Sequence, residues 1–308
     1  MAEDWSRAEG SPLGKICEGL TLRKMTSSDM IQVESLCQAA NFDVGIHNLS
    51  LYYRTSPHFW HVIENEDEEI VAFNSSNRSL GNGVVYGYEI LVHPDYRGKG
   101  LSKHLGRPWE TFPWLTSSTP ASILRYNIPV WLDKRLSLFG IIKSRPNPDY
   151  SRISGFTVRP MDTESLDAVV SYDRSIIRID RKAFLREWLL TQEENPQISR
   201  TLVAWNGQNC VGYGTLRLFS GYFGLSPLYA NSSAIAWMLL NEIAGILELG
   251  QGLYIPAIAD KRVIFEFAKL LRMSVTETEV RCANPAGKEY AESLAMSKVF
   301  AVHEFWPV

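Results

Sequence analysis

The chain has 308 residues, of which 45% are hydrophobic and 21% charged, and its formal net charge is −3. This length allows two domains of ordinary size, and the composition excludes a largely disordered chain. The slightly acidic balance disfavours nucleic acid or an anionic membrane surface as a partner.

The N-terminal residues and the cysteines bear on the compartment. Residues 1–18 carry no apolar run typical of a secretory signal, so we expect a disordered leader there. No stretch approaches the roughly 20 apolar residues of a membrane span. The four cysteines form no CxxC pair, which is typical neither of a disulfide framework nor of a zinc site. The sequence therefore predicts a cytoplasmic protein with no metal and no membrane partner, and it leaves the oligomeric state open.

One short motif occurs twice along the chain. Residues 19–26 read GLTLRKMT and residues 155–162 read GFTVRPMD, and each copy predicts a strand followed by a helix start. A predicted hairpin comes next in each half, over 59–76 and 200–219, each with a turn rich in polar residues or glycine.

The repeat predicts the fold class. We expect an α+β protein made of two copies of one unit, each a mixed, mostly antiparallel central sheet flanked by helices. The predicted domains are residues 19–143 and 153–308, joined by a linker at 144–152 in which prolines interrupt regular structure.

A predicted strand over residues 83–93 leads into an unusual turn. This turn, Arg97-Gly98-Lys99-Gly100-Leu101-Ser102-Lys103, contains two glycines and three cations. Glycines let successive N–H groups point to one place, and a helix start adds partial positive charge there. The turn predicts a phosphate or pyrophosphate site, and an ordinary solvated turn is the alternative. The patterns GxxxxGK[ST] and GxGxxG do not occur here, which disfavours a P-loop or a dinucleotide fingerprint.

The segment VHPDYRGKGLS, residues 92–102, resembles the acyl-CoA pyrophosphate loop of the GNAT superfamily of N-acyltransferases, whose pattern is Gln/Arg-x-x-Gly-x-Gly/Ala. The order of hairpin, strand, turn and helix resembles the same family from about Thr21 to Ile141. The resemblance implies two tandem GNAT-like domains, of which the first binds acetyl-CoA or another acyl-CoA. It also implies an enzyme of the EC 2.3.1 type that transfers the acyl group to a primary amine of a small molecule.

The resemblance further implies which residues contact the cofactor. Main-chain groups of Leu91 and Val92 are expected to hold the pantetheine arm. Asn127 lies about two residues from the position where relatives place a cofactor-contacting asparagine. The pyrophosphate is expected on the residues of the turn: Arg97, Gly98, Lys99, Gly100, Leu101 and Ser102.

Glu89 is the candidate catalytic base, because the attacking amine must lose a proton. It is a charged residue inside the apolar strand GYEILV, where burial would raise its pKa. The alternative is that Glu89 faces solvent or pairs with Arg125 or another cation. We expect packing roles for Tyr86 and Tyr88 and a structural role for His93.

Three positions depart from the family pattern. Ser102 stands where a small Gly or Ala is usual, and Pro108 is expected to kink or end the helix after the turn. Leu136 falls where many members carry a tyrosine that protonates the leaving thiolate, which puts a tyrosine acid in doubt. It also keeps a second function open, that of a non-catalytic CoA-binding or metabolite-sensing protein.

The second half lacks the cation-rich turn. The corresponding stretch, residues 225–240, contains no glycine pair and no cation, although a helical stripe persists with Asn231 or Ser232 as its predicted N-cap. Residues 153–308 resemble the C-terminal acetyltransferase domain of the family that includes the bacterial YitH and holothin acyltransferase proteins. We therefore expect a degenerate GNAT-like domain there.

A charged cluster precedes one helix of the second half. Arg178, Asp180 and Arg181 allow two interpretations: substrate binding in a cleft, or an intra-helix ion pair combined with helix capping.

Overall fold

The computed structural model describes residues 12–17, 19–43, 45, 48–78, 85–105, 113–118, 120, 130–145 and 153–302. The chain forms two compact units, Met1–Trp114 and Leu115–Val308. The predicted α+β class is confirmed, because each unit has a mostly antiparallel sheet with helices packed on it.

Unit 1 contains an antiparallel sheet with the strand order β1-β2-β3-β4-β5. Its strands are β1 (Pro12–Cys17), β2 (Leu20–Lys24), β3 (His61–Asn65), β4 (Ile70–Arg78) and β5 (Val85–Val92). Its described helices include α1 (Met30–Ala39) and α2 (Asn48–Thr55). The predicted hairpin of the first half is thus confirmed as β3 and β4.

The alternation of side chains along the strands divides the apolar residues of unit 1 between two faces. On one face, Leu22, Ile63 and Ala72 belong to a cluster that also buries Leu101 and Leu105 from the segment after β5. On the other face, Phe73 stacks on Trp60, with ring centroids 6.3 Å apart, and α1 packs against β4 and β5.

The leader differs in part from the prediction. Residues 12–17 form strand β1, which pairs antiparallel with β2, so this part of the segment predicted as disordered is ordered. Pairing with β2 gives hydrogen-bond partners to the backbone groups at the edge of that strand. This stabilisation cannot be recognised from the composition of residues 12–17 alone. Residues 1–11 lie outside the described residues.

Unit 2 contains a sheet with the strand order β6-β13-β7-β12-β14-β11-β10-β9-β8 and a further parallel pairing between β11 and β12. Its strands are β6 (Trp114–Ser118, in this unit from Leu115), β7 (Val130–Ile141), β8 (Phe156–Pro160), β9 (Ser199–Asn206), β10 (Asn209–Leu218), β11 (Tyr222–Ala230), β12 (Gly252–Ile258), β13 (Ser274–Ala283) and β14 (Val299–Ala301). Its described helices include α3 (Leu166–Ile177), α4 (Lys182–Glu194), α5 (Ser233–Ile246), α6 (Arg262–Leu270) and α7 (Pro285–Ser293).

The predicted hairpin of the second half is confirmed as β9 and β10, which pair antiparallel over their length. Helices α5 and α6 cover one face of this sheet and bury an apolar core that includes Leu239, Ile243 and Phe267. The predicted N-cap of α5 is Ser232, whose Oγ accepts a hydrogen bond from the Ile235 amide at 3.3 Å.

Strand β7 lies between β12 and β13 in unit 2, although it belongs to the first copy of the sequence repeat. The domain boundaries inferred from the repeat, 19–143 and 153–308, stay a prediction about the two copies. Most of the predicted linker, residues 146–152, lies outside the described residues.

Candidate active site

The turn after β5 adopts the backbone that its glycines predict. Gly98 and Gly100 have φ angles of +81° and +80°, in the left-handed region that favours glycine. A Cβ added at either position would meet no heavy atom within 4 Å, so the backbone angle, and not crowding, requires glycine. Gly100 caps a short 3₁₀ helix, Leu101–Lys103.

The main-chain amides of this turn are available to a ligand. The Arg97 amide donates to the Pro94 carbonyl at 3.2 Å, and the Lys103 amide donates to the Gly100 carbonyl at 3.0 Å. Between them, the amides of residues 98–102 donate to no acceptor among the residues that the structure describes. Consecutive amides without an acceptor form a site that favours an anion.

Cations border the turn. Arg97 and Lys99 are exposed, with Arg97 Nε donating to the Val92 carbonyl at 3.2 Å and Lys99 Nζ 4.4 Å from the centre of the Tyr96 ring. Lys103 is also exposed. The hydrogen bond of Arg97 to Val92 ties one cation to the end of β5, the strand that leads into the turn.

Buried side chains fix the turn to the sheet. Leu101 is 2% exposed and Leu105 is 1% exposed, and both pack into the apolar cluster of unit 1. Tyr96 packs on the same cluster, and its hydroxyl accepts a hydrogen bond from Asn65 Nδ2 at 3.3 Å. The turn therefore has its polar main chain outward and its apolar side chains inward.

Strand β5 carries the other predicted site residues. Leu91 and Val92 are half-buried and lie opposite Phe73 and Ala72 of β4. Nδ1 of His93 accepts from the Asp95 amide at 3.3 Å, which agrees with the structural role expected of this histidine.

Glu89 is half-buried on β5, directly opposite Ser75 of β4. Ser75 is 1% exposed, and its Oγ has no hydrogen-bond partner among the described residues. Burial raises the pKa of the Cys37 thiol to about 12, and the negative charges of Glu34 and Glu89 add to that shift. Glu89 lies on one of the two strands, β4 and β5, against which the α1 helix packs.

Several predicted positions cannot be placed at this site. Asn127, Pro108 and Arg125 lie outside the described residues, and so do the side chains of Tyr86 and Tyr88. Leu136 lies on β7 of unit 2, opposite Ala257 and Thr278.

Of the charged cluster of the second half, Arg181 lies in a buried ion pair, whereas Arg178 and Asp180 are exposed. Arg181 donates to both carboxylate oxygens of Asp173, from Nε at 3.0 Å and from Nη2 at 2.6 Å, and both residues are buried. The Tyr213 hydroxyl donates to the same carboxylate at 2.5 Å. The pairing joins α3 to the segment before α4, so neither the cleft nor the intra-helix interpretation of Arg181 is correct. Asp180 instead accepts from the Lys182 amide at 3.0 Å, as a cap.

Sequence reasoning missed Asp173, Ser75 and Cys37. Asp173 belongs to a helical stripe with Val169, Val170 and Ile176, and this stripe was the one available signal that the carboxylate is buried.

No group of three or more His, Cys, Asp or Glu side chains in the described ranges is arranged to hold a metal ion. None of the helices that the structure describes is long and apolar enough to cross a membrane.

Comparisons with protein families find a match in each half. Residues 28–107 match a model described as the acetyltransferase (GNAT) family, and residues 169–301 match a model described as an acetyltransferase (GNAT) domain. No curated protein sequence matches the chain at a significant level.

Solved structures share the fold over nearly the whole chain. A putative acetyltransferase from Pyrococcus horikoshii superposes with a TM-score of 0.68 at 15% identity and covers 94% of this chain and 96% of its own. A GCN5-related N-acetyltransferase from Sphaerobacter thermophilus gives 0.56 at 15% identity, with 88% and 96% covered. A tandem GNAT protein from the clavulanic acid biosynthesis pathway gives 0.56 at 12% identity, with 87% and 99% covered. At these identities, the likeness establishes the fold alone.

Proposed function

Because this chain belongs to the GNAT superfamily, with a family domain in each half, we propose that it is an acyl-CoA-dependent N-acyltransferase. The proposed donor is acetyl-CoA or another acyl-CoA, and the proposed acceptor is a primary amine of a small molecule. The observation that carries the proposal is the turn at residues 97–102, where left-handed glycines and exposed cations surround amides that have no acceptor within the described part of the chain. A cytoplasmic location remains part of the same proposal.

The turn fits a diphosphate in its chemistry. Its amides supply hydrogen-bond donors, and a short helix begins at the turn. Its cations supply counter-charge. We assign diphosphate binding to Arg97, Gly98, Lys99, Gly100, Leu101 and Ser102, and pantetheine binding to the main chain of Leu91 and Val92. Asn127 is a further proposed contact.

The proposed reaction is aminolysis of a thioester. The acyl-CoA supplies a carbonyl carbon with a thiolate leaving group. The amine nitrogen forms a bond to that carbon and the carbon–sulfur bond breaks. The proton that the nitrogen loses as the amide forms balances the one that the thiolate takes up to leave as free coenzyme A. Glu89 accepts the proton that the ammonium group must lose before it can attack. Its half-buried position on β5, next to buried Ser75, supports this role.

The first test measures release of free thiol from acetyl-CoA with a panel of small amines. We expect Glu89→Gln to lower kcat/KM about 10²–10⁴-fold, the usual contribution of a general base, with little change in the affinity for acetyl-CoA. Asp67→Asn, which removes a charge from the exposed β3–β4 turn, is the matched control and should leave both quantities unchanged. Unchanged rates in Glu89→Gln at every pH would remove Glu89 as the base.

A second function has one observation in its favour. Leu136 stands where a tyrosine acid would be expected, which favours a non-catalytic CoA-binding or metabolite-sensing protein. The same assay separates the two functions, because a sensor binds acetyl-CoA tightly and releases no thiol with any amine.

A further inference from the structure

We propose that the acceptor site of unit 1 selects amines that carry a second positive charge, such as alkane diamines. Glu34 and Glu89 would contact the two ammonium groups, above a floor formed by Cys37 and Ser75. This inference rests on the proposed function and adds the class of acceptor to it.

Helix α1 brings Glu34 to the same region as the candidate base. The helix packs against β4 and β5, on the sheet face that carries Phe73. Glu34 and Cys37 are three residues apart and therefore lie on one side of α1. Cys37 is 3% exposed and Glu34 is half-buried, so this side of the helix faces the sheet.

Ser75 gives an independent indication that a polar ligand binds at this place. The residue is 1% exposed, and within the ranges that the structure describes its Oγ has no hydrogen-bond partner. Ser75 lies directly opposite Glu89 in the β4–β5 ladder, so the two side chains project from the same face of the sheet. A buried hydroxyl without a partner is costly, and a polar group of a bound ligand would satisfy it.

The charges at this place favour a cation. After burial itself, Glu34 and Glu89 are the causes of the raised pKa of Cys37, so both carboxylates act on one thiol, which stays neutral. Glu34 forms no ion pair or hydrogen bond with any described residue. Two carboxylates facing one region attract a dication more strongly than a monocation. In this arrangement, Glu89 takes the proton from one ammonium group while Glu34 holds the other.

The experiment compares two amines of nearly the same shape and length, 1,4-diaminobutane and 1-aminobutane. We expect kcat/KM for the diamine to exceed that for the monoamine by about tenfold or more, the value of one well-placed ion pair. Glu34→Gln should remove most of this preference, by lowering kcat/KM for the diamine far more than kcat/KM for 1-aminobutane. Asp67→Asn is the control for loss of a negative charge elsewhere in unit 1. Calorimetric titration of each protein with 1,4-diaminobutane gives a second readout that needs no turnover.

The outcomes separate this inference from the proposed function. Thiol release with equal kcat/KM for the two amines overturns the dication inference and leaves the transferase in place. No release with any amine, together with diamine binding that Glu34→Gln weakens, overturns the transferase and supports the two-carboxylate site. The absence of both release and diamine binding overturns both.

Discussion

At the scale of single residues, the buried ion pair of Asp173 and Arg181 is a site where one substitution is expected to lower the free energy of unfolding strongly. Burial and the charge of Asp173 raise the pKa of the Tyr213 hydroxyl, so Tyr213 remains a proton donor to the carboxylate. Asp173 therefore has three donated hydrogen bonds at a site that excludes water. A buried ion pair adds little net stability, but removal of one partner destabilises the protein strongly, because the other charge stays buried without compensation.

We predict that Asp173→Asn lowers the free energy of unfolding of unit 2 by about 3–5 kcal/mol, because it leaves the Arg181 charge buried and uncompensated. Urea denaturation measures this loss. The matched control is the exposed pair of Arg174 and Asp180, 3.7 Å apart, where Asp180→Asn should cost less than about 1 kcal/mol. Equal losses at the two pairs would contradict the prediction.

His61 gives unit 1 a defined pH dependence. Burial lowers the pKa of His61 to about 4, against its hydrogen bond with Asn74 and with a contribution from the charge of Lys24. The unfolded chain, with an ordinary histidine pKa near 6.5, therefore binds more protons than the folded unit between about pH 6.5 and 4. The contribution of neutral His61 is complete above that window, and it is lost as the pH falls through it.

The loss should amount to about 3 kcal/mol across the window. Urea denaturation of the wild type and His61→Gln at pH 7 and at about pH 4.5 tests it, because the variant should show a shallower fall in stability. His93→Gln replaces a half-exposed histidine of the same unit and serves as the control. A variant His61→Gln that loses stability as steeply as the wild type would refute this assignment.

At the scale of elements, strand β7 is the one on which the stability of unit 2 is expected to depend most. It pairs with β12 over residues 135–141 and with β13 along most of its length, so it is a central strand of unit 2. Leu138 on this strand is 2% exposed and belongs to the core that α5 and α6 cover. Removing β7 would expose two strand edges and open that core.

We predict that a fragment of residues 153–308, which lacks β6 and β7, is aggregated or unfolded. A fragment of residues 115–308 should be monomeric and should unfold cooperatively. Size-exclusion chromatography and thermal unfolding followed by circular dichroism compare the two. A monomeric, cooperatively unfolding 153–308 fragment would show that β7 is dispensable for this unit.

At the scale of the whole molecule, local sequence patterns predicted the repeated α+β units, both hairpins and the turn after β5. Those features depend on side-chain alternation and on glycine at positions of positive φ, which are visible within a few residues. The position of β7 was not predictable, because the pattern of apolar residues along it indicates a buried strand but does not indicate which strands pair with it. Ser75 and Cys37 were missed for a related reason. Each is a small residue in an apolar element, and its proposed role at the acceptor site depends on Glu89, which is distant in sequence.

The two copies of the repeat differ in the turn between strand and helix, and this difference predicts the number of diphosphate sites in the chain. The turn from β11 into α5 contains Asn231 and the capping Ser232, with no glycine and no cation. We therefore expect one diphosphate site per chain, in unit 1.

Calorimetric titration with acetyl-CoA tests this central claim most directly. We predict one equivalent bound per chain and loss of binding in Gly100→Glu, which adds a bulky side chain and a negative charge at the turn. Gly155→Glu is the matched control, because Gly155 has a similar φ of +84° and open space around it, and it should bind as the wild type does. Two equivalents per chain, or undiminished binding in Gly100→Glu, would contradict the account.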